Sequence, residues 1–177
     1  MRRKNNWYVI TGAPSSGKTT VLKYLEKRGY RVYYEWARIF IEQELSKGKK
    51  LKEIRRDEAK FQKKVLELKK DFEKKLNPNE LIFMERGIPD TEAYFELINF
   101  PIDIKLRKLV KRSSYKKVFL MELSKFKKDF ARTESKEEAY LLEKLLEKVY
   151  NRQPGVKVIR VPIMTTAKRA KFILDNL

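Results

Sequence analysis

Gly12-Ala13-Pro14-Ser15-Ser16-Gly17-Lys18-Thr19 has the spacing G-x-x-x-x-G-K-[ST], a loop whose backbone N–H groups can close around phosphate oxygens. Each fixed position meets a physical demand. The glycines allow tight backbone approach, Lys18 reaches the β and γ phosphates, and Thr19 offers a hydroxyl to Mg²⁺. The motif predicts contact with nucleotide along Gly12, Ala13, Pro14, Ser15, Ser16, Gly17, Lys18, Thr19 and Thr20. Its flanks agree: Trp7 to Thr11 is a short β-prone run, and Val21, Leu22 and Leu25 recur at helical spacing across Thr20 to Arg28. A helix that begins inside the loop adds its orphan N–H groups and its dipole to anion binding.

Four further strands are expected, at Tyr30 to Tyr34, Leu81 to Met84, Lys117 to Met121 and Val156 to Val161. Helical spacing fills the intervals: Trp36 to Lys47, one long amphipathic helix from Glu53 to Leu76, Asp90 to Asn99, Lys136 to Tyr150, and Thr166 to Leu177, with a basic stretch at Lys105 to Arg112. In the long helix Ile54, Phe61, Val65, Leu68, Phe72 and Leu76 step by threes, fours and one seven, and lysines are expected on the opposite face. Strands alternating with helices imply a doubly wound α/β sheet with right-handed crossovers, whose ligands bind beyond the C-terminal ends of the strands. The 177 residues fit one domain, a length that buries roughly 70% of its unfolded surface.

Composition narrows the chemistry. Without cysteine there is no disulfide, thiol nucleophile or Cys-ligated zinc, and without histidine a general base has to be a carboxylate or a perturbed lysine or tyrosine. No apolar run approaches the ~18 residues of a membrane span and residues 1 to 6 are too short for a secretory leader, so a cytoplasmic location is expected. The charged fraction of 38%, rich in Lys and Glu, is of the kind found in thermophiles. A net charge of +19 favours nucleotides, nucleic acid or anionic surfaces as partners. The excess is concentrated between residues 105 and 136, where twelve Lys and Arg face Glu122, Asp129 and Glu134.

Residues just past the strands carry the candidate chemistry. Glu85 follows Leu-Ile-Phe-Met and suits the carboxylate that joins Thr19 on Mg²⁺, although it could simply pair with Arg86. Glu35 ends the second strand and suits a general base toward an acceptor hydroxyl, with a salt bridge to Arg38 as the alternative. Arg132 lies in a polar stretch where a lid, within about residues 122–136, could bring it to the γ-phosphate; Ser135 could equally cap an ordinary helix. A base-contacting loop is expected at Pro162 to Arg169, where Lys168 or Arg169 could stack on the base. No Asp-based guanine clamp is visible there, which favours ATP over GTP.

Together Gly12 to Thr20, Tyr34-Glu35-Trp36-Ala37-Arg38, Glu85-Arg86-Gly87-Ile88-Pro89-Asp90, Arg132-Thr133-Glu134 and Val161-Pro162 resemble, in the same order, a family of small single-domain P-loop ATPases. That family is AAA-labelled, kinase-like, and related to the nicotinamide riboside kinase domain of bifunctional NAD-synthesis proteins. The resemblance implies a kinase-type five-stranded parallel sheet of order 2-3-1-4-5, with helices on both faces and a basic lid. It also implies Glu35 as base toward a sugar hydroxyl, Arg86 as a substrate or phosphate ligand, and Arg132 as the lid arginine. Arg38, Asp90 and Glu134 match without an assigned role. Glu85 departs from relatives that carry Asp there, and the lysine-rich segments are unusual. The expected function is Mg²⁺-dependent transfer of the γ-phosphoryl of ATP or GTP to a small hydroxyl acceptor such as a nucleoside or riboside. The alternatives are a nucleotide-gated binding or regulatory module whose basic surface meets nucleic acid or anionic lipid, and a polynucleotide-end kinase.

Overall fold

The computed structural model describes residues 5–123 and 134–177. Its centre is a five-stranded parallel sheet made of β1 (Trp7–Thr11), β2 (Arg31–Tyr33), β3 (Ile82–Glu85), β4 (Lys117–Met121) and β5 (Lys157–Val161), in the order β2-β3-β1-β4-β5. The central strand β1 is buried throughout, and its register aligns Ile10 with Glu85 on one side and Thr11 with Leu120 on the other. The loop after β1 and the acid ending β3 therefore emerge side by side.

Alternation along the strands divides the core in two. Trp7, Val9, Ile82, Met84, Val118 and Leu120 point to one face, packed by α5 (Pro89–Leu97) and α7 (Lys136–Asn151). Tyr8, Ile10, Phe83, Phe119 and Met121 point to the other, covered by α1 (Lys18–Glu26) and α8 (Thr166–Asp175). Beside this sandwich α2 (Trp36–Ser46) packs on α4 (Glu58–Glu73) through Ile41, Phe61 and Val65, while α6 (Ile104–Arg112) lays Leu106 and Val110 against Ile88 and Phe95.

The single helix expected from Glu53 to Leu76 is two helices. A short α3 (Leu51–Ile54) ends at Arg55, and Asp57 starts α4 by accepting a hydrogen bond from the Lys60 amide. The break falls inside the seven-residue step between Ile54 and Phe61, where the apolar stripe is discontinuous. An N-cap of this kind is worth ~1 kcal/mol, enough to divide a helix whose packing does not oppose it. The basic stretch before β4 is itself helical, as α6, with Asp103 capping the Leu106 amide.

Candidate active site

The phosphate loop has the backbone its sequence requires. Gly12 at φ +144° and Gly17 at φ +87° occupy conformations open to glycine, and a Cβ on Gly12 would lie 2.6 Å from the Met121 carbonyl oxygen. Ser15 is also left-handed, at φ +69°. Lys18 is buried and its Nζ donates to the Gly12 and Ala13 carbonyls at 3.1 and 2.9 Å, so it lies across the loop it serves. The Ser16 hydroxyl is buried and makes no hydrogen bond among the described residues. An unspent buried donor in a ring of amides suits an anion.

Across the loop Thr19 Oγ1 donates to Glu85 Oε1 at 2.8 Å. This hydroxyl and carboxylate are hard oxygen donors at the start of α1 and the end of β3. They fit Mg²⁺, which takes one or two protein oxygens and completes its shell with phosphates and water. Burial, and secondarily Glu35, raises the Glu85 carboxyl pKa, against the pull of Lys18 and the Thr19 hydroxyl. Glu85 is thus hydrogen-bonded to Thr19, and the charge of Arg86 also acts on it.

Arg86 belongs to a different group. It follows β3 at φ +61°, a conformation uncommon for a non-glycine residue, and a dense set of hydrogen bonds holds it there. Its Nε donates to Glu35 Oε1 at 2.7 Å and its Nη1 to Asp90 Oδ1 at 3.0 Å. Asp90 also accepts from Thr11 Oγ1 at 2.6 Å, from the Gly87 amide at 2.9 Å and from the Tyr150 hydroxyl. Tyr150 and Tyr115 take up the amides of Gly87 and Ile88 at 3.0 and 2.8 Å. Glu35 thus pairs with Arg86, which is buried and aimed across the strand ends.

Glu35, the N-cap residue of α2, keeps 21% of its side chain exposed. Burial would raise its pKa, but Arg86, Lys18 and Lys69 together hold the carboxyl down to about 2. Lys69 sits among these groups, with Nζ donating to the Gly87 carbonyl at 3.0 Å and its own pKa lowered by burial. It corrects the expectation that the lysines of this helix all face outward. Lying four residues after Val65 it occupies the buried stripe, and that register was the signal for it.

One cleft of about 450 Å³ joins these groups. Its lining includes Lys18 and Thr19 of the phosphate loop together with Glu35, Arg38, Arg55, Phe61, Tyr94 and Glu134. Arg55 is a further cation that sequence reasoning missed. It pairs with Glu58 at 2.6 Å and with Glu134 at 3.7 Å, and lies 4.5 Å over the Phe61 ring. Nothing short of the break between α3 and α4 would have pointed it inward. Glu134 directly precedes Ser135, which caps α7 through the Glu138 amide in a reciprocal capping box. Arg132, and residues 124–133 of the lid expected within about 122–136, lie outside the described residues.

Arg169 has a different role from the one expected. Its guanidinium donates to the carbonyls of Ser16 at 2.6 Å, Pro162 at 2.9 Å and Glu122 at 3.0 Å, so it braces the phosphate loop and is not free to stack on a base. Lys168 is exposed in the first turn of α8.

A glycine-rich loop after the central strand, an acid at the end of the adjacent strand and the order 2-3-1-4-5 define a kinase-type P-loop NTPase fold. The chain belongs to the AAA domain family, whose model matches residues 7–169. No curated protein sequence matches it. Among solved structures it is similar to deoxyadenosine kinase from M. mycoides with bound dATP, at 16% identity and TM-score 0.62, covering 96% of this chain and 97% of that one. It is similar to thymidylate kinase from Candida albicans at 14% identity and TM-score 0.63, covering 98% and 91%. It is also similar to a NadR protein in complex with NR at 15% identity and TM-score 0.71, covering 97% of this chain but 50% of that one. At such identities the likeness is one of fold.

Proposed function

We propose that the protein is a Mg²⁺-dependent phosphotransferase that moves the γ-phosphoryl group of ATP, or GTP, to the hydroxyl of a small acceptor such as a nucleoside or riboside. The observation that carries this reading is the cleft itself, which is lined both by Lys18 and Thr19 and by Glu35. A cavity of about 450 Å³ is the size of a small-molecule site. The charges lining it are nearly balanced and largely paired with one another, Glu35 and Asp90 with Arg86 and Glu134 with Arg55, so the enclosed size rather than charge bears on the acceptor. That favours a small acceptor over a polynucleotide end.

In this reading Lys18 and the loop amides hold the phosphates, and the acceptor hydroxyl lies beside Glu35. The acceptor oxygen attacks the γ-phosphorus, the bond to the β,γ-bridging oxygen breaks, and the acceptor proton passes to the Glu35 carboxylate. A carboxylate held near pKa 2 is a weak base, but it is always ionised and can orient the hydroxyl. Loose phosphoryl-transfer transition states ask little more of a base than position. Mg²⁺, held by Thr19 and Glu85, would neutralise charge on the phosphates when bound. Asp90 fixes Arg86, and Arg86 fixes Glu35.

The test is transfer from γ-labelled ATP to a panel of nucleosides and ribosides with Mg²⁺ present. Wild type should label one of them, and Glu35→Gln should lose roughly 100-fold or more in turnover while retaining nucleotide binding. Lys18→Ala should lose the nucleotide itself. Equal transfer by Glu35→Gln removes the base assignment, and hydrolysis without transfer to any acceptor removes the small-acceptor reading.

A further inference from the structure

The cleft uses little of the positive charge, and one helix remote from it in sequence carries a concentrated share. Helix α6, Ile-Lys-Leu-Arg-Lys-Leu-Val-Lys-Arg, contains no acid. Lys105, Arg107, Lys108, Lys111 and Arg112 are all exposed, whereas Leu106 and Val110 are buried against Ile88 and Phe95. At 100° per residue the five cations span an arc of roughly 160° facing away from the core. Ile104 falls inside that arc and is 71% exposed, the largest value among the large hydrophobic side chains of the described residues. The charged surface continues onto α4 through Lys63, whose Nζ lies 4.9 Å over the Phe100 ring, and Phe100 packs in the same cluster as Leu106.

We propose that the outer face of α6 docks on an anionic lipid surface. Two features select lipid over nucleic acid as the occupant. Helix α6 itself carries no aromatic side chain on which an unpaired base could stack, the nearby Phe100 ring is covered by Lys63, and because Leu106 and Val110 hold the helix flat on the body it does not protrude into a groove. It does present an aliphatic side chain among cations, the arrangement of a helix that rests its charges on headgroups and sinks an apolar residue between them. Cations near such a surface each add to binding, so the effect of removing several is large.

The experiment is sedimentation with vesicles of phosphatidylcholine alone and of phosphatidylcholine with 30% phosphatidylglycerol. A protein of charge +19 is drawn to any polyanion, so the deciding comparison keeps net charge constant. Lys105→Gln/Lys108→Gln/Lys111→Gln should lose at least about tenfold in affinity for the anionic vesicles, while Lys27→Gln/Lys144→Gln/Lys157→Gln, with the same charge, should stay within about twofold of wild type. Ile104→Ser should weaken vesicle binding several-fold. All the substituted side chains are exposed and outside the cleft, so transfer activity and the thermal midpoint should be unchanged. Equal losses from the two triple variants would overturn the proposal, as would full binding by Ile104→Ser. Binding to a 20-mer RNA or DNA that depends on α6, without binding to the anionic vesicles, would assign the face to nucleic acid instead.

Discussion

Arg86 adopts its left-handed backbone because its neighbours leave no alternative. Gly87 shows how tightly that turn is held: a Cβ there would lie 2.6 Å from the Tyr150 hydroxyl oxygen and 2.9 Å from the Tyr115 ring. Both tyrosines are buried, and retreat would strand a buried donor in each case: the Ile88 amide if Tyr115 moved, the Tyr150 hydroxyl now on Asp90 if Tyr150 moved. Gly87→Ala is expected to destabilise the fold by about 2 kcal/mol, read as a lower urea midpoint, and to reduce transfer by disturbing Arg86. An unchanged midpoint would show that the turn can relax. At this scale the sequence was informative about residue types and poor on pairings. Glu35, Glu85 and Arg86 could be named from their places after strands. That Arg86 reaches Glu35, 51 positions away, depends on the register of β2 beside β3.

At the scale of elements, the strands were legible because parallel strands covered on both faces are continuous apolar runs, as Ile82 to Met84 and Val118 to Met121 are. The split between α3 and α4 was not, because the same apolar spacing serves one long helix or two, and only the Asp57 cap decides. The last turn of α4 brings a pH response. Glu73 accepts a hydrogen bond from the Tyr115 hydroxyl at 2.9 Å, and burial raises its carboxyl to about 7 despite Lys69 and that hydrogen bond. A folded-state pKa above the unfolded value means that the folded chain binds the proton more tightly. The stabilisation is complete below about pH 4.5 and is lost as pH rises toward 7. Denaturant midpoints from pH 4.5 to 7.5 should show wild type losing on the order of 2 kcal/mol relative to Glu73→Gln, which keeps an acceptor for Tyr115 and has no proton to lose. Parallel curves for the two proteins would mean that Glu73 is ionised throughout.

For the whole molecule, the architecture makes nucleotide a ligand of the folded state alone, since the loop after β1, the start of α1 and the end of β3 converge only once the sheet is formed. Mg²⁺ and ATP at 100 times their dissociation constant should add about 2.7 kcal/mol, a rise in thermal midpoint of roughly 5–10 °C for a chain of this size. A chelator should cancel most of that rise, and Lys18→Ala should show none. A Mg²⁺-independent shift would count against the pairing of Thr19 with Glu85 as its site. The net charge, by contrast, was readable to the unit while its distribution was not, because exposure depends on which helical face packs inward. The guanidinium of Arg169 bridges three carbonyls, one of them separated from it by 153 positions. During synthesis the phosphate loop is made well before its brace, which follows Ser16 by 153 residues. A chain can therefore assemble its strands and still hold an unbuttressed loop, so competence to grip nucleotide waits for α8 to dock after the sheet has formed.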